Sequence, residues 1–510
     1  MAFSSTTDIT SEDLHSTIGS AKTQDGRYVI PIVIEGKALP VDESRLISVQ
    51  SAATGAEVHL AQGATVDIAR NAAESSRQAF QKWKATLYTA RRDLLLKVAD
   101  IIQSREEAFV AMQIRETSCQ EEWARFNVNL SCAGLREIAS NISQECTGEL
   151  PAPQGPGAFC MVFKEPVGPV LVIAPWNASM ILSSRALAAP LAAGCTVTFK
   201  ASELCPGVHH SIVRAFEDAG LPLGCINTLQ ARRKDSQQIT EALISHTGIS
   251  KVAFTGSATV GSIIGQLASK YLKPVLMELG GKAPAIVLKD ADIEHAAALC
   301  AKGAFLHHGQ ICMSTDRIIV VRDIAEGFSL ALAEYVKKNY PDGAGSAVTA
   351  VSAQRAKSLV DVAVKNGASY VVGNHEFRDS TEASLAPAIL TGVKPEDQIF
   401  SEETFGPSAV IYVVENADEA IALANSSKYG LNAAVHSRDI FAALKVARQV
   451  ECGQVHIGTI TEYDEANAPI GGTKGSGWGR NNGKYGLREF LVAKTISIHD
   501  PSASARFGGH

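Results

Sequence analysis

The chain of 510 residues is short of several features, and each absence narrows what it can be. Its ten cysteines are scattered, with no CxxC pair and no clustering with histidine, which argues against structural zinc and against a disulfide framework. No block of lysine and arginine stands out, and the net charge is −6 with a pI near 6.1. Nucleic acid or an acidic membrane is therefore disfavoured as the main partner. The longest apolar run, around residues 170–174, is far too short to span a bilayer. Residues 1–21 are Ser/Thr-rich and acidic with no apolar core, unlike a secretory signal or an arginine-rich transit peptide, so a cytoplasmic protein is predicted. Internal repeats and low-complexity segments are also missing. What is present is a composition 46% hydrophobic and 20% charged, enough for two or three sub-cores.

Residues 1–26 read as a flexible leader, and 28–34 and 46–49 as strands of a first hairpin layer. Thr65 can cap a helix carrying Val66, Ala69, Ala73, Phe80 and Trp83, and Thr89 another carrying Leu95, Val98 and Ile102. The Pro/Gly run at 149–157 cannot continue a helix; with 159–163 it reads as a linker into an extended arm suited to pairing with another subunit. An unbroken apolar strand at 167–174, a helix pattern, and a strand at 195–200 make β-α-β. Ser202 or Glu203 then opens a helix ending at Gly220, and 251–254 gives a further strand. This alternation predicts an α/β fold with a doubly wound parallel sheet and a ligand at the carboxyl ends of its strands. Beyond Gly281 it restarts at 284–288, 317–321, 409–414 and 432–435, a second α/β domain. The alternating strand at 489–499 leaves an edge that only another arm or another chain can satisfy.

Several stretches carry chemistry. Cys312 follows a small-residue helix pattern with no nearby metal-like or disulfide-like partner; it reads either as a buried hydrophobe or as a nucleophile whose pKa is lowered by a positive or amide-rich setting. Asn177, after Trp176 at a strand end, either starts a turn or donates its amide to an oxygen gaining negative charge. Lys200 and Glu203 are either a solvated pair at a helix start or holders of ribose hydroxyls. Gly256 and Ser257 lead into a helix and either cap it or offer amides to a phosphate, although the GxGxxG fingerprint is lacking. Glu278, before two glycines, is a turn residue or a base for water; Glu403 and Phe405 form a loop or hold a ribose and a flat base. Nothing suggests a metal.

The order and separations of Trp176-Asn177, Lys200 to Glu203, Phe254 to Ser257, Glu278 to Lys282, Gly309 to Cys312 and Glu403 to Pro407 resemble the aldehyde dehydrogenase superfamily over roughly residues 45–500. The resemblance implies an NAD-binding domain (27–148 and 167–279), a catalytic domain (280–484), and an oligomerisation element (149–166 and 485–500) assembling a homodimer or homotetramer. It implies oxidation of an aldehyde to the acid: Cys312 attacks, Asn177 and the Cys312 amide hold the oxyanion, and Glu278 activates the water that cleaves the thioester. Lys200 and Glu203 would bind the adenosine ribose and Glu403 the nicotinamide ribose. Phe405 would hold the nicotinamide, with Ser257 and Trp176 near the pyrophosphate. Glu203 favours NAD and leaves NADP possible.

Many members carry an aromatic residue and a proline after Trp-Asn, whereas Ala178 and Ser179 follow here, and Ile470 stands where an aromatic residue is frequent. The stretch Trp176 to Ala178 with Arg185 to Pro190 looks like the subgroup acting on benzaldehyde-type compounds such as vanillin and salicylaldehyde. Arg185 would meet a ring substituent or form a structural ion pair; Ile311, Met313 and Tyr463 are further pocket candidates. An aliphatic-aldehyde or semialdehyde enzyme of the same superfamily, a cofactor-free cysteine hydrolase, a CoA-acylating relative and a non-catalytic scaffold protein are the rivals.

Overall fold

The computed structural model describes residues 9–153 and 157–500. Strands Val170–Ile173, Val197–Ala201, Ile226–Gln230, Lys251–Thr255 and Val275–Glu278 run parallel at the centre of an eight-stranded sheet. They are buried at almost every position. A parallel sheet covered by helices on both faces needs such unbroken apolar runs. In space, Val170–Ile173 lies between Val197–Ala201 and Lys251–Thr255. Strand order therefore reverses between Val170–Ile173 and Lys251–Thr255, and the crevice at that reversal is where this architecture binds ligands. The loops leaving those two strands carry Trp176-Asn177 and Gly256-Ser257.

The second domain is a seven-stranded sheet in which only the edge strand Ser369–Val372 is antiparallel. Its strands Ala283–Val287, Thr315–Val321, Ser408–Val414 and Asn432–His436 match the alternation beyond Gly281, each followed by a helix. The span 280–484 is not self-contained: Gly477–Trp478 returns to the first sheet, antiparallel to Val275–Glu278.

Several expectations need correcting. From Ser11 the leader is ordered: the helix Ser11–Ile18 is capped by Thr10, stops at Gly19 with φ 70°, and buries Leu14 and Ile18. Residues 1–8 lie outside the described residues. Pro31, lacking an N–H, splits the strand at 28–34 into Tyr28–Ile30 and Val33–Ile34, which join different sheets, and Leu46–Gln50 pairs instead with Glu57–Gln62. Thr65 caps Val66–Trp83 as expected, but the next helix begins at Tyr88 without a side-chain cap from Thr89. Neither Ser202 nor Glu203 opens the following helix. It begins at Pro206, and the buried Glu116 carboxylate accepts the Gly207 and Val208 amides at 2.7 and 2.8 Å, a cap supplied from elsewhere in the chain.

The arm Ala158–Pro166 pairs along its whole length with Leu491–His499. The open edge is thus met by the chain's own arm, while residues 154–156 of the linker lie outside the described residues. Register places Phe159, Phe163, Val492, Ile496 and Ile498 on one face of this ribbon, all exposed. Among the described residues no helix is long and apolar enough to cross a membrane.

Candidate active site

The helix Ile293–Phe305 buries Ala297, Ala301 and Ala304 and is followed by an unusual turn. His307, His308 and Gly309 all adopt left-handed backbone, with φ of 48°, 60° and 71°. Each non-glycine residue in that region costs about 1 kcal/mol or more, so surrounding contacts must hold the turn. His307 stacks on Trp123 at 5.3 Å. The fully buried Gln310 side chain donates to the carbonyls of His307 and Ser346 and accepts from the Val348 amide, at 3.1, 3.2 and 2.9 Å. Cys312 follows, half-buried, in a cleft of about 400 Å³ that also exposes Asn177, Glu278, Glu403 and Phe405. The loop opposite approaches closely: a Cβ on Gly281 would lie 2.5 Å from the Cys312 carbonyl oxygen.

Asn177 donates its side-chain amide to the Gln310 carbonyl at 3.0 Å, and its own carbonyl accepts from Trp123 Nε1 at 3.0 Å. An amide nitrogen carries two hydrogens, so this bond orients the group and leaves a donor for the cleft. Glu278, buried at the end of Val275–Glu278, accepts from Asn481 Nδ2 at 3.1 Å through Oε2, while Oε1 has no protein partner. Burial lifts its pKa above the usual carboxylate value; Arg185 and Asn481 oppose that shift, and Asp464 adds to it. The expected lowering of the Cys312 pKa is not found. Burial, then the carboxylates of Glu278 and Glu403, push the thiol well up, with Arg185 the opposing cation. In this environment Cys312 rests as a thiol and needs a base.

On the cofactor side, Gly256 donates its amide to the Glu278 carbonyl at 3.0 Å, and Ser257 caps Ala258–Lys270, accepting from the Val260 amide at 3.4 Å. Both residues line the cleft, with Thr259 in the first turn of the helix. Trp176 meets the Phe405 ring edge-on at 5.9 Å, and Phe405 has φ 55°. Glu403 accepts the Gly281 amide at 3.1 Å and is pushed by burial to about 8. Arg355, also lining the cleft, donates to the Glu403 and Thr404 carbonyls at 3.1 and 3.2 Å. A helix N-terminus, a cation, a buried carboxyl and a flat ring lining one cleft fit a dinucleotide. Lys200 and Glu203 do not line this cleft. They sit at the carboxyl end of the neighbouring strand, with Lys200 paired in register to Ile173; burial lowers the Lys200 pKa, and Glu203 opposes that shift.

The pocket candidates separate. Ala178, Ile311, Met313 and Ile470 are buried together in the first domain's core and do not line the open cleft. Tyr463 is exposed and bonded to Glu465, away from it. Arg185 is a buried ion pair with Asp464, which uses the group expected to meet a substituent. Sequence reading missed Leu182, Ser352 and Arg355, which line the cleft from helices without a motif. It also missed Asn481, whose only signal was a polar Asn-Asn-Gly run before a helix. Among the described residues no group of three metal-ligating side chains occurs.

Comparison with known proteins agrees with this arrangement. Residues 40–496 match the aldehyde dehydrogenase family. A vanillin dehydrogenase of Pseudomonas fluorescens is 41% identical over 92% of this chain and 98% of its own length. A salicylaldehyde dehydrogenase of Pseudomonas sp. (strain C18) is 41% identical over 85% and 91%. The crystal structure of a salicylaldehyde dehydrogenase from Pseudomonas putida G7, complexed with salicylaldehyde, superposes with a TM-score of 0.89 at 38% identity, covering 92% of this chain and 98% of that one. With that match spanning both sheets and the cleft between them, the chain belongs to the aldehyde dehydrogenase family, whose members oxidise aldehydes to acids with a nicotinamide cofactor.

Proposed function

We propose that the protein oxidises an aromatic aldehyde of the salicylaldehyde, vanillin or benzaldehyde type with NAD, through Cys312, Asn177 and Glu278. One observation carries the assignment of roles: a single cleft presents a thiol, an amide anchored to the thiol's own loop, and a buried carboxylate with one free oxygen. Glu278, the charged group most strongly felt by the thiol, takes its proton. The sulfur adds to the carbonyl carbon, and the oxygen, now negative, accepts from Asn177 Nδ2. A nicotinamide cofactor bound along Gly256, Ser257, Glu403 and Phe405 supplies the hydride acceptor. Loss of hydride with its electron pair from the carbon leaves a thioester on Cys312. Glu278 passes the thiol's proton to solvent and then deprotonates a water. Hydroxide adds to the thioester carbon, the C–S bond breaks with its electron pair on sulfur, and the acid departs as the Cys312 sulfur takes the proton back from Glu278. Its raised pKa suits a group that must collect protons near neutrality.

The aromatic substrate is supported by the vanillin and salicylaldehyde dehydrogenases at 41% identity. NAD is supported by Glu203 beside Lys200, since a carboxylate accepts from a ribose hydroxyl and repels a 2′-phosphate. The exposed face of the ribbon Ala158–Pro166 with Leu491–His499, apolar around the Glu165–Lys494 pair, supports assembly into dimers or tetramers. A reducing, cytoplasmic setting belongs to the same proposal, because the mechanism needs Cys312 as a free thiol.

The test is a panel of aromatic and aliphatic aldehydes with NAD and NADP, followed at the reduced-cofactor absorbance. Aromatic substrates with NAD should give the highest kcat/KM. Cys312→Ala should abolish oxidation, and Glu278→Gln should retain the first hydride transfer but stall afterwards. Unimpaired steady-state turnover in either variant would overturn the roles given to these residues.

A further inference from the structure

Arg185 and Asp464 stand out among the buried charges because they belong to the same connected structure as the nucleophile and the base. Arg185 projects from Ser179–Ala193, the helix that follows Asn177, and its Nη2 meets Asp464 Oδ2 directly, with both side chains less than a tenth exposed. The other Asp464 oxygen accepts from Asn482 Nδ2 at 2.8 Å, and Asn482 also donates to the Glu465 carbonyl at 2.9 Å. Asn482 has φ 70°, which turns the backbone so that it and its neighbour serve different partners. That neighbour is Asn481, whose Nδ2 holds Glu278. Asn481 is itself fixed by backbone hydrogen bonds to Ile470 in both directions. An ion pair and a general base are thus the two ends of one short path, hydrogen-bonded from Asp464 to Asn482 and from Asn481 to Glu278 and joined by the peptide bond between the two asparagines.

We propose that the Arg185–Asp464 pair is a positioning device for the nucleophile and the base: Arg185 supplies local positive charge, Asp464 limits it, and Asn482-Asn481 ties the pair to Glu278. The proposal rests on the roles assigned to Cys312 and Glu278. A buried ion pair is weak evidence for stability as such, because desolvation offsets much of the attraction. Its retention beside two groups that must ionise has a more specific explanation. The charged groups acting on Cys312 are Glu278 from its strand end, Glu403 from the loop after Gln398–Ser401, Asp464 from the loop after Gln454–Ile457, and Arg185. Three are acidic, so Arg185 is the counterweight. Its field also reaches Glu278. With Arg185 unpaired, the thiolate would form more readily, but the Glu278 carboxyl, raised chiefly by burial, would be pulled down by the unopposed cation; Asp464 sets the compromise.

The two members should therefore act in opposite directions, which a merely structural pair would not do. The experiment is the pH dependence of Cys312 alkylation by iodoacetamide in the full-length protein without aldehyde, read by peptide mass spectrometry. Asp464→Asn should move the half-reactive pH down by about one unit. Arg185→Gln should move it up by about the same amount, Arg185→Lys should restore it toward the parent, and Arg185→Gln with Asp464→Asn should fall between the single variants. Shifts in the same direction, or none, overturn the proposal. If Arg185→Gln does not fold, Asp464→Asn decides alone, and an unmoved or raised profile overturns it. The roles of the site residues fail separately: Cys312→Ala that still oxidises aldehyde sinks them, whereas alkylation at Cys312 reads the charge balance whether or not that thiol is the nucleophile.

Discussion

Asn177 Nδ2 lies 3.0 Å from the Gln310 carbonyl oxygen, so the proposed oxyanion donor and the loop bearing Cys312 are one hydrogen-bonded unit. Gln310 is in turn saturated by His307, Ser346 and Val348. The donor's aim is therefore set by the same contacts that hold the left-handed turn before the nucleophile.

Asn177→Ala should reduce kcat by about 10²–10³-fold, the usual effect of removing one oxyanion donor. It should also leave the buried Gln310 carbonyl unpaired, at about 1–3 kcal/mol. Single-turnover kinetics and a thermal melt check both, with cofactor binding unchanged. A variant within a few-fold of the parent in kcat would remove Asn177 from the chemistry.

Glu403 is held by burial at about 8, above its ordinary value, so the folded state keeps a proton that the unfolded chain releases. That stability is fully present below the unfolded pKa and is lost as pH rises through about 8. Cofactor-free Glu403→Gln should therefore melt above the parent at pH 9, with the difference narrowing toward pH 5, and should bind NAD more weakly. Parallel melting curves across this range would contradict the assignment.

Burial lowers His15, His209, His307 and His308 to about 3, and His210, His375 and His436 to about 4. Here the unfolded chain binds protons first, so stability is present above the ordinary value of 6.5 and is lost as pH falls below it. Differential scanning calorimetry should show the melting temperature dropping steeply between pH 6.5 and 4.5. A flat profile would mean that these rings are not held neutral in the folded protein.

The ribbon's apolar face predicts that Ile496→Asp with Ile498→Asp will shift the protein to monomers in sedimentation velocity, because both side chains are exposed within one chain. The backbone pairing with Met161 and Phe159 is untouched by these changes. An unchanged sedimentation coefficient would place the subunit interface elsewhere.

Three of the five central parallel strands were legible because their apolar runs have only one satisfactory setting, between two layers of helices. Ile226–Gln230, interrupted by polar residues, and Val275–Glu278, only 4 residues long, were not read as strands. Cys312, Glu278, Asn177 and Glu403 were legible through their spacing, and they share one cleft. What escaped was whatever depends on distant partners. Glu116 caps a helix about 90 positions away in sequence, so the cap itself was invisible locally, although proline at the first helical position was a signal for the start at Pro206 that went unused. Arg185 read as a pocket residue or an ion-pair member, and the structure shows the ion pair, but its partner Asp464, 279 positions later, could not be named from its own helix. The Cys312 pKa was misjudged for the same reason: the loop suggests amides, while the fold brings carboxylates.

Glu165 and Lys494 face each other across the ribbon although 329 residues separate them along the chain. On a ribosome adding about 5–20 residues per second, the arm therefore waits on the order of tens of seconds for the strand that completes it. During that interval Phe159 and Phe163 have neither their partner strand nor its side chains. The two-stranded ribbon can therefore form only after residues 491–499 have been made, among the last of the polypeptide.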